Sequence, residues 1–97
     1  MQRDEALTIL AKHHDEIEEL GVKSLALFGS VARNEAGLES DVDILVEFQD
    51  RFIGLVAFVR LQQYLETILS QPVDLVTHRS IKPQLRDRIL GELVHAA

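Results

Sequence analysis

The chain has 97 residues, 46% of them hydrophobic, and a formal net charge of −6, enough apolar content for one core and no length for a second module, so one domain over residues 1–97 is expected. It contains no cysteine, which excludes disulfides and thiolate metal sites and suits a reducing, cytoplasmic setting. Residues 1–20 carry a charge of −4 and residues 30–50 one of −5; so acidic a face repels a nucleic-acid backbone, which argues against free DNA or RNA as partner and for a basic protein surface.

The start, Met1-Gln2-Arg3-Asp4-Glu5, is polar at once and has no signal-peptide pattern. Residues 3–20 read as one helix with Leu7, Leu10, His14 and Ile17 on one stripe, closed by Gly21 at a C-cap-like position. Val22 to Phe28 is an apolar run with β-branched and aromatic members that stops at Gly29-Ser30, which reads as a strand and a turn. A short helix opens near Ser30 and carries Arg33, and an alternating run from Asp41 to Phe48 forms a second strand. After the polar link Gln49-Asp50-Arg51, apolar positions at 55, 58, 61, 65 and 68 predict a long helix over 53–69, stopped by Ser70-Gln71-Pro72. The longest apolar stretch, Phe52 to Val59, is too short to span a bilayer, so a soluble protein without membrane contact is expected. A third strand follows at 73–77. The last helix begins around Ser80 to Pro83 and turns Leu85, Ile89 and Leu93 inward. Gly91 weakens it by about 1 kcal/mol relative to Ala, so its Leu93-Val94 end is expected to gain order on binding. Three strands alternating with four helices make an α/β (α+β) chain.

The chemistry is concentrated between the first two strands. In Asp41-Val42-Asp43-Ile44-Leu45-Val46-Glu47-Phe48 the period of two puts Asp41, Asp43, Leu45 and Glu47 on one face and Val42, Ile44, Val46 and Phe48 on the other. The two aspartates point the same way, roughly 6–7 Å apart along the strand. Like charges so placed are either a solvated edge or a metal site. The flanking residues favour metal: Gly29 lets backbone approach a ligand, Ser30 offers an N–H and a hydroxyl, and Arg33 supplies a planar fork for phosphate oxygens. Mg²⁺ is held by one or two carboxylates plus substrate phosphates, and these are the parts of such a nucleoside triphosphate cradle.

Gly29-Ser30-x-Ala32-Arg33, ten residues between Ser30 and Asp41, then Asp41-x-Asp43 followed by Ile-Leu-Val, resembles the signature of the DNA polymerase β-like nucleotidyltransferase superfamily. Within it the chain is most similar to the minimal nucleotidyltransferases, the MNT-type antitoxins encoded beside HEPN-domain toxins, and the similarity runs over nearly the whole chain. The resemblance implies the nucleotidyltransferase fold, a small mixed three-stranded sheet flanked by about four helices. It also implies transfer of AMP from ATP with two Mg²⁺ ions to a hydroxyl of a cognate HEPN ribonuclease toxin, with which the chain would form a hetero-oligomer. Asp41 and Asp43 would hold the metals, and Gly29, Ser30, Arg33 and Ser40 the nucleotide. The superfamily's third carboxylate has one candidate, Asp74 in Pro72-Val73-Asp74-Leu75-Val76-Thr77, as metal ligand or as general base on the acceptor hydroxyl. At the middle of an apolar strand an unpaired buried carboxylate is costly, so Asp74 should have a partner. Where relatives often carry Gly after the Arg, this chain has Asn34, which also enters left-handed φ/ψ readily. Two other functions are compatible with the motif: a non-catalytic antitoxin acting by binding alone, and a small-molecule enzyme resembling kanamycin nucleotidyltransferase.

Other polar residues read as structural. Adjacent His13 and His14 face about 100° apart on a helix and suit no common metal. His78 reads as a solvated loop histidine, Glu35, Glu39 and Glu47 as solvated acids, and Tyr64 as a half-buried packing residue. Glu47 lies about 13 Å along the strand from Asp43, too far to share its metals.

Overall fold

The computed structural model describes residues 1–37, 40–50 and 54–96; Glu39, Arg51 and the expected helix start at residue 53 lie outside the described residues. The N-terminal helix divides into α1 (Arg3–Lys12) and α2 (His14–Glu19) at His13, whose backbone leaves the helical region (φ −104, ψ 20). The His13 ring turns back, its Nδ1 2.9 Å from the Ile9 carbonyl oxygen, and meets the edge of Tyr64 with ring centroids 6.1 Å apart. At this break His14 leaves the expected stripe: Ala6, Leu10 and Ile17 are buried, whereas His14 is exposed beside Glu18. Gly21 closes α2 with φ +90, its N–H donating to the Glu18 carbonyl, as its position after the helix predicts.

Strand β1 (Val22–Phe28) is buried from Leu25 to Phe28 without alternation, the mark of a strand covered on both faces. Strand β2 (Val42–Phe48) pairs with it antiparallel, and β3 (Val73–Val76) pairs with β2 in parallel. The parity read from residues 41–48 holds: Val42, Ile44 and Val46 enter the main core with Leu25 and Leu27, while Leu45 on the opposite face joins Phe28 and Ile81 in a second, smaller cluster. The parallel crossover runs through α4 (Leu55–Leu69), which buries Leu61, Leu65 and Leu69. Leu55 and Val56 remain 76% and 72% exposed, although position 55 belongs to the predicted apolar stripe. Length explains it: fifteen helical residues span about 22 Å and four strand residues about 13 Å, so the first turns of α4 overhang the sheet.

Among the described residues the sheet has a fourth strand that the sequence did not announce. After a short 3₁₀ turn (His78–Ser80), α5 (Pro83–Gly91) ends at Gly91, and β4 (Val94–His95) lies antiparallel against β1, giving the order β3-β2-β1-β4. The expected end of the last helix is therefore an edge strand, because Gly91 releases the chain and Val94, β-branched, pairs with the open edge of β1. Ala96 N–H extends the pairing to the Leu25 carbonyl at 2.9 Å. No residue of α5 is buried; Ile89 and Leu93 pack against the Phe28 cluster as expected, but Leu85 is 42% exposed, since one small cluster offers α5 little apolar surface. Among the described residues no helix is long and apolar enough to cross a membrane.

Candidate active site

Phe28 leaves β1 opposite Asp43 of β2, and the chain turns at once into α3 (Gly29–Ala32), a single helical turn. Gly29 is required there twice over. Its φ is +70, in the left-handed region, and a Cβ built on it would fall on Asp43 Oδ2 and lie 3.0 Å from Asp43 Cγ. The turn is pinned by buried Val31 and Ala32 and closed by Arg33 N–H to Gly29 O at 3.1 Å and Glu35 N–H to Ser30 O at 2.8 Å. Asn34 sits at φ +61, the left-handed conformation its residue type allows, and its Oδ1 accepts the Arg3 N–H at 3.0 Å. With one turn, α3 carries little macrodipole, so its contribution is the Gly29 N–H and the direction it gives Arg33.

Asp43 is half-buried at the foot of this turn, and its pKa is pushed up to about 6, chiefly by burial, then by the charges of Asp74 and Asp41. Arg33 opposes the rise and Glu92 adds to it. Asp74 is the parallel register partner of Asp43 on β3, and Asp41 precedes β2 on the same face. The burial foreseen for Asp74 does not occur: β3 alternates buried and exposed positions, and Asp74 is on the exposed side of this edge strand, so no partner is needed to offset desolvation. Among the described residues, no three or more histidine, aspartate or glutamate side chains stand closely enough to hold a metal ion. The donor set still fits a hard divalent cation, being oxygen-only and centred on a carboxyl whose ionisation its two acidic neighbours oppose, a cost that a cation between them would reverse.

The Arg33 guanidinium is divided between two acids, Nε donating to Glu35 Oε2 and Nη1 to Glu92 Oε2, both at 3.0 Å. These carboxylates, Glu35 foremost, hold its proton more firmly than usual. Glu35 is thus engaged with the arginine and not merely a solvated acid. Glu92 also accepts the Gly29 N–H through Oε1 at 3.0 Å, so one carboxylate spans the two groups best suited to phosphate. Sequence reasoning missed Glu92. The one signal was electrostatic: an acid at the C-cap of a helix opposes the dipole and calls for a partner elsewhere. Ser40, expected near the nucleotide, uses its hydroxyl to accept the Gly37 N–H at 3.0 Å within its own loop. Glu47 pairs with Lys23 at 3.4 Å. A groove of about 680 Å³ opens at the far end of β2, lined by Glu47, Phe48, Leu55, Phe58 and His78 among others, and contains none of Asp41, Asp43, Asp74, Gly29 or Arg33.

Residues 10–95 match the sequence profile of the family described as "Nucleotidyltransferase domain". A protein of Methanocaldococcus jannaschii, provisionally named a protein adenylyltransferase, is 48% identical over 88 residues, which are 91% of this chain and 86% of that protein. The protein adenylyltransferase MntA of Thermococcus cleftensis is 41% identical over 93 residues, 95% of this chain and 93% of its own. Among solved structures, a provisionally assigned minimal nucleotidyltransferase superposes with a TM-score of 0.82 at 33% identity, covering 97% of this chain and 95% of that one. A structure of a tri-AMPylated Shewanella oneidensis HEPN toxin in complex with MNT antitoxin matches with a TM-score of 0.65 at 22% identity over 94% of this chain and 71% of that one, a likeness of fold.

Proposed function

Since this chain belongs to the nucleotidyltransferase domain family, we propose that it transfers AMP from ATP to a hydroxyl of a HEPN-type toxin and so acts as the toxin's antitoxin within a hetero-oligomer. The observation that carries this reading is the register that sets Asp43 between the Gly29 turn on one strand and Asp74 on the other. The names of the relatives and the AMPylated toxin in a complex of the same fold support the acceptor class.

Asp41 and Asp43 would hold two Mg²⁺ ions, with Asp74 as a third ligand or as base; bound there, magnesium would supply charge neutralisation for the phosphates and acidify the acceptor hydroxyl. Gly29 N–H, Ser30 and Arg33 receive the triphosphate, the guanidinium offering paired donors to its oxygens. The acceptor oxygen attacks the α-phosphorus, the bond to the bridging oxygen breaks, and pyrophosphate leaves on the side of Arg33. A tyrosine hydroxyl has a pKa near 10, so it needs a base. Asp74, exposed on an edge strand beside Asp43, is open to an incoming protein and would take that proton. The exposure of Asp74 suits an acceptor that arrives as a folded partner.

The test is the intact mass of the partner toxin after incubation with ATP and Mg²⁺. Stepwise gain of AMP is expected with the wild-type chain and none with the Asp41→Asn/Asp43→Asn double variant. A toxin silenced by the wild-type chain with no gain in mass would overturn transfer in favour of occlusion.

A further inference from the structure

The phosphate seat is filled from within. We propose that the Glu92 carboxylate is an autoinhibitory competitor for the donor's phosphates, holding Gly29 N–H and Arg33 until a nucleotide displaces it. This inference rests on the reading that a triphosphate donor binds at Gly29 and Arg33.

A carboxylate and a phosphate present the same feature to these groups, two negatively charged oxygens able to accept separate N–H bonds. Glu92 uses both: Oε1 accepts the Gly29 N–H and Oε2 the Arg33 Nη1, each at 3.0 Å. The contact joins residues 63 and 59 positions apart in sequence, and the fold provides for it. Gly91 ends α5, and β4 registers Val94 on Leu27 and His95 on Ala26, which carries residue 92 back to the start of the Gly29 turn. The Glu92 side chain is only 19% exposed, against 65% for Glu35, the other acid on the same guanidinium. Neutralising Arg33 does not require it, because Glu35 already pairs with Nε. Its charge also works against its surroundings: it sits at a helix C-cap, where anions are disfavoured, and it adds to the repulsion around Asp43. What the carboxylate accomplishes is occupation of the seat. Release asks little of the fold, since α5 has no buried residue and a side-chain rotation frees both donors.

The experiment is equilibrium binding of a non-hydrolysable ATP analogue with Mg²⁺ to the wild-type chain, Glu92→Gln and Glu92→Ala. Loss of one charge-assisted competitor should tighten binding about tenfold in both variants, with the same gain for inorganic tripolyphosphate and none for adenosine. In the nucleotide-free protein the Gly29 amide should exchange with solvent faster in Glu92→Ala, which has no side-chain acceptor, than in wild type, a readout independent of nucleotide; equal exchange would remove the contact and the proposal with it. Glu92→Gln, nearly isosteric, carries the test if Glu92→Ala unfolds. Equal affinities would overturn the proposal and leave the donor site standing. Weaker binding in the variants would overturn it too, making Glu92 a positioning residue for Arg33. If neither wild type nor variants bind nucleotide or tripolyphosphate, the donor site itself is wrong and the proposal falls with it.

Discussion

At the scale of single residues the site is built on two residues, Gly29 and Asp43, that compete for one space. Gly29 must lack a Cβ because Asp43 occupies its place, so Gly29→Ala should both strain the left-handed backbone, at about 1–2 kcal/mol, and push Asp43 aside. A displacement of about 1 Å costs transfer about a hundredfold; thermal melts beside transfer assays with labelled ATP measure the two effects separately. Asp43, with its pKa raised from 3.8 to about 6, binds its proton more tightly folded than unfolded. Its contribution to stability is therefore complete below pH 3.8 and is lost as pH rises through about 6. Asp43→Asn removes the charge at every pH. Without divalent metal at pH 8 it should be more stable than wild type, by on the order of 1 kcal/mol once partial exposure is discounted, a few degrees in Tm. The difference should vanish below pH 4, read by denaturation in chelator across pH, while transfer falls a thousandfold or more.

Elements differ in how much of their pattern the sheet can receive. Helix α4 is longer than the strands it covers, so apolar character along it does not translate into equal burial. Leu65→Ala, at a fully buried position, should cost about 2–5 kcal/mol, whereas Leu55→Ala, at 76% exposure, should stay within about 0.5 kcal/mol. Urea titrations of the two variants test this, and equal losses would mean that the overhanging turn is covered in solution. Helix α5 shows the opposite case, an element held by Ile89, Leu93 and two strand residues, with its polar end given to the site.

For the whole molecule, charge and site coincide. Residues 30–50, which carry Ser30, Arg33 and two of the three carboxylates, hold a net −5; Glu47 and Asp50 lie toward the far end of β2, and a partner with a basic flank should be drawn to the strand as a whole, including the end where transfer would occur. Such steering is screened within about 8 Å at physiological salt, and association with the toxin should slow as salt rises, with dissociation less affected. Stopped-flow mixing at several ionic strengths measures it. Asp74→Ala should abolish AMP addition while leaving this docking intact, because Asp74 lies outside the acidic stretch 30–50 and its loss leaves all six acids of that stretch in place. Pull-down combined with mass spectrometry separates the two: lost binding would make Asp74 structural, and retained AMP addition would remove it from the mechanism.

What the amino-acid sequence determined by itself is what contiguous residues decide among themselves. The common face of Asp41 and Asp43 follows from the period of a strand, the turn at Gly29 and the left-handed Asn34 from backbone sterics, and the helix stop at Gly21 from the same sterics. Tertiary structure alone decided the rest. Which residues of α4 and α5 are covered depends on the lengths of the strands beneath them, and the break at His13 on a ring that finds both Ile9 and Tyr64. Asp74 is exposed because β3 turned out to be an edge strand, and β4 exists because β1 had an edge to offer. Glu92 reaches Gly29 across 63 residues only once that strand is paired; periodicity and local propensity extend over one or two turns, and carry no information about which distant backbone will close a sheet.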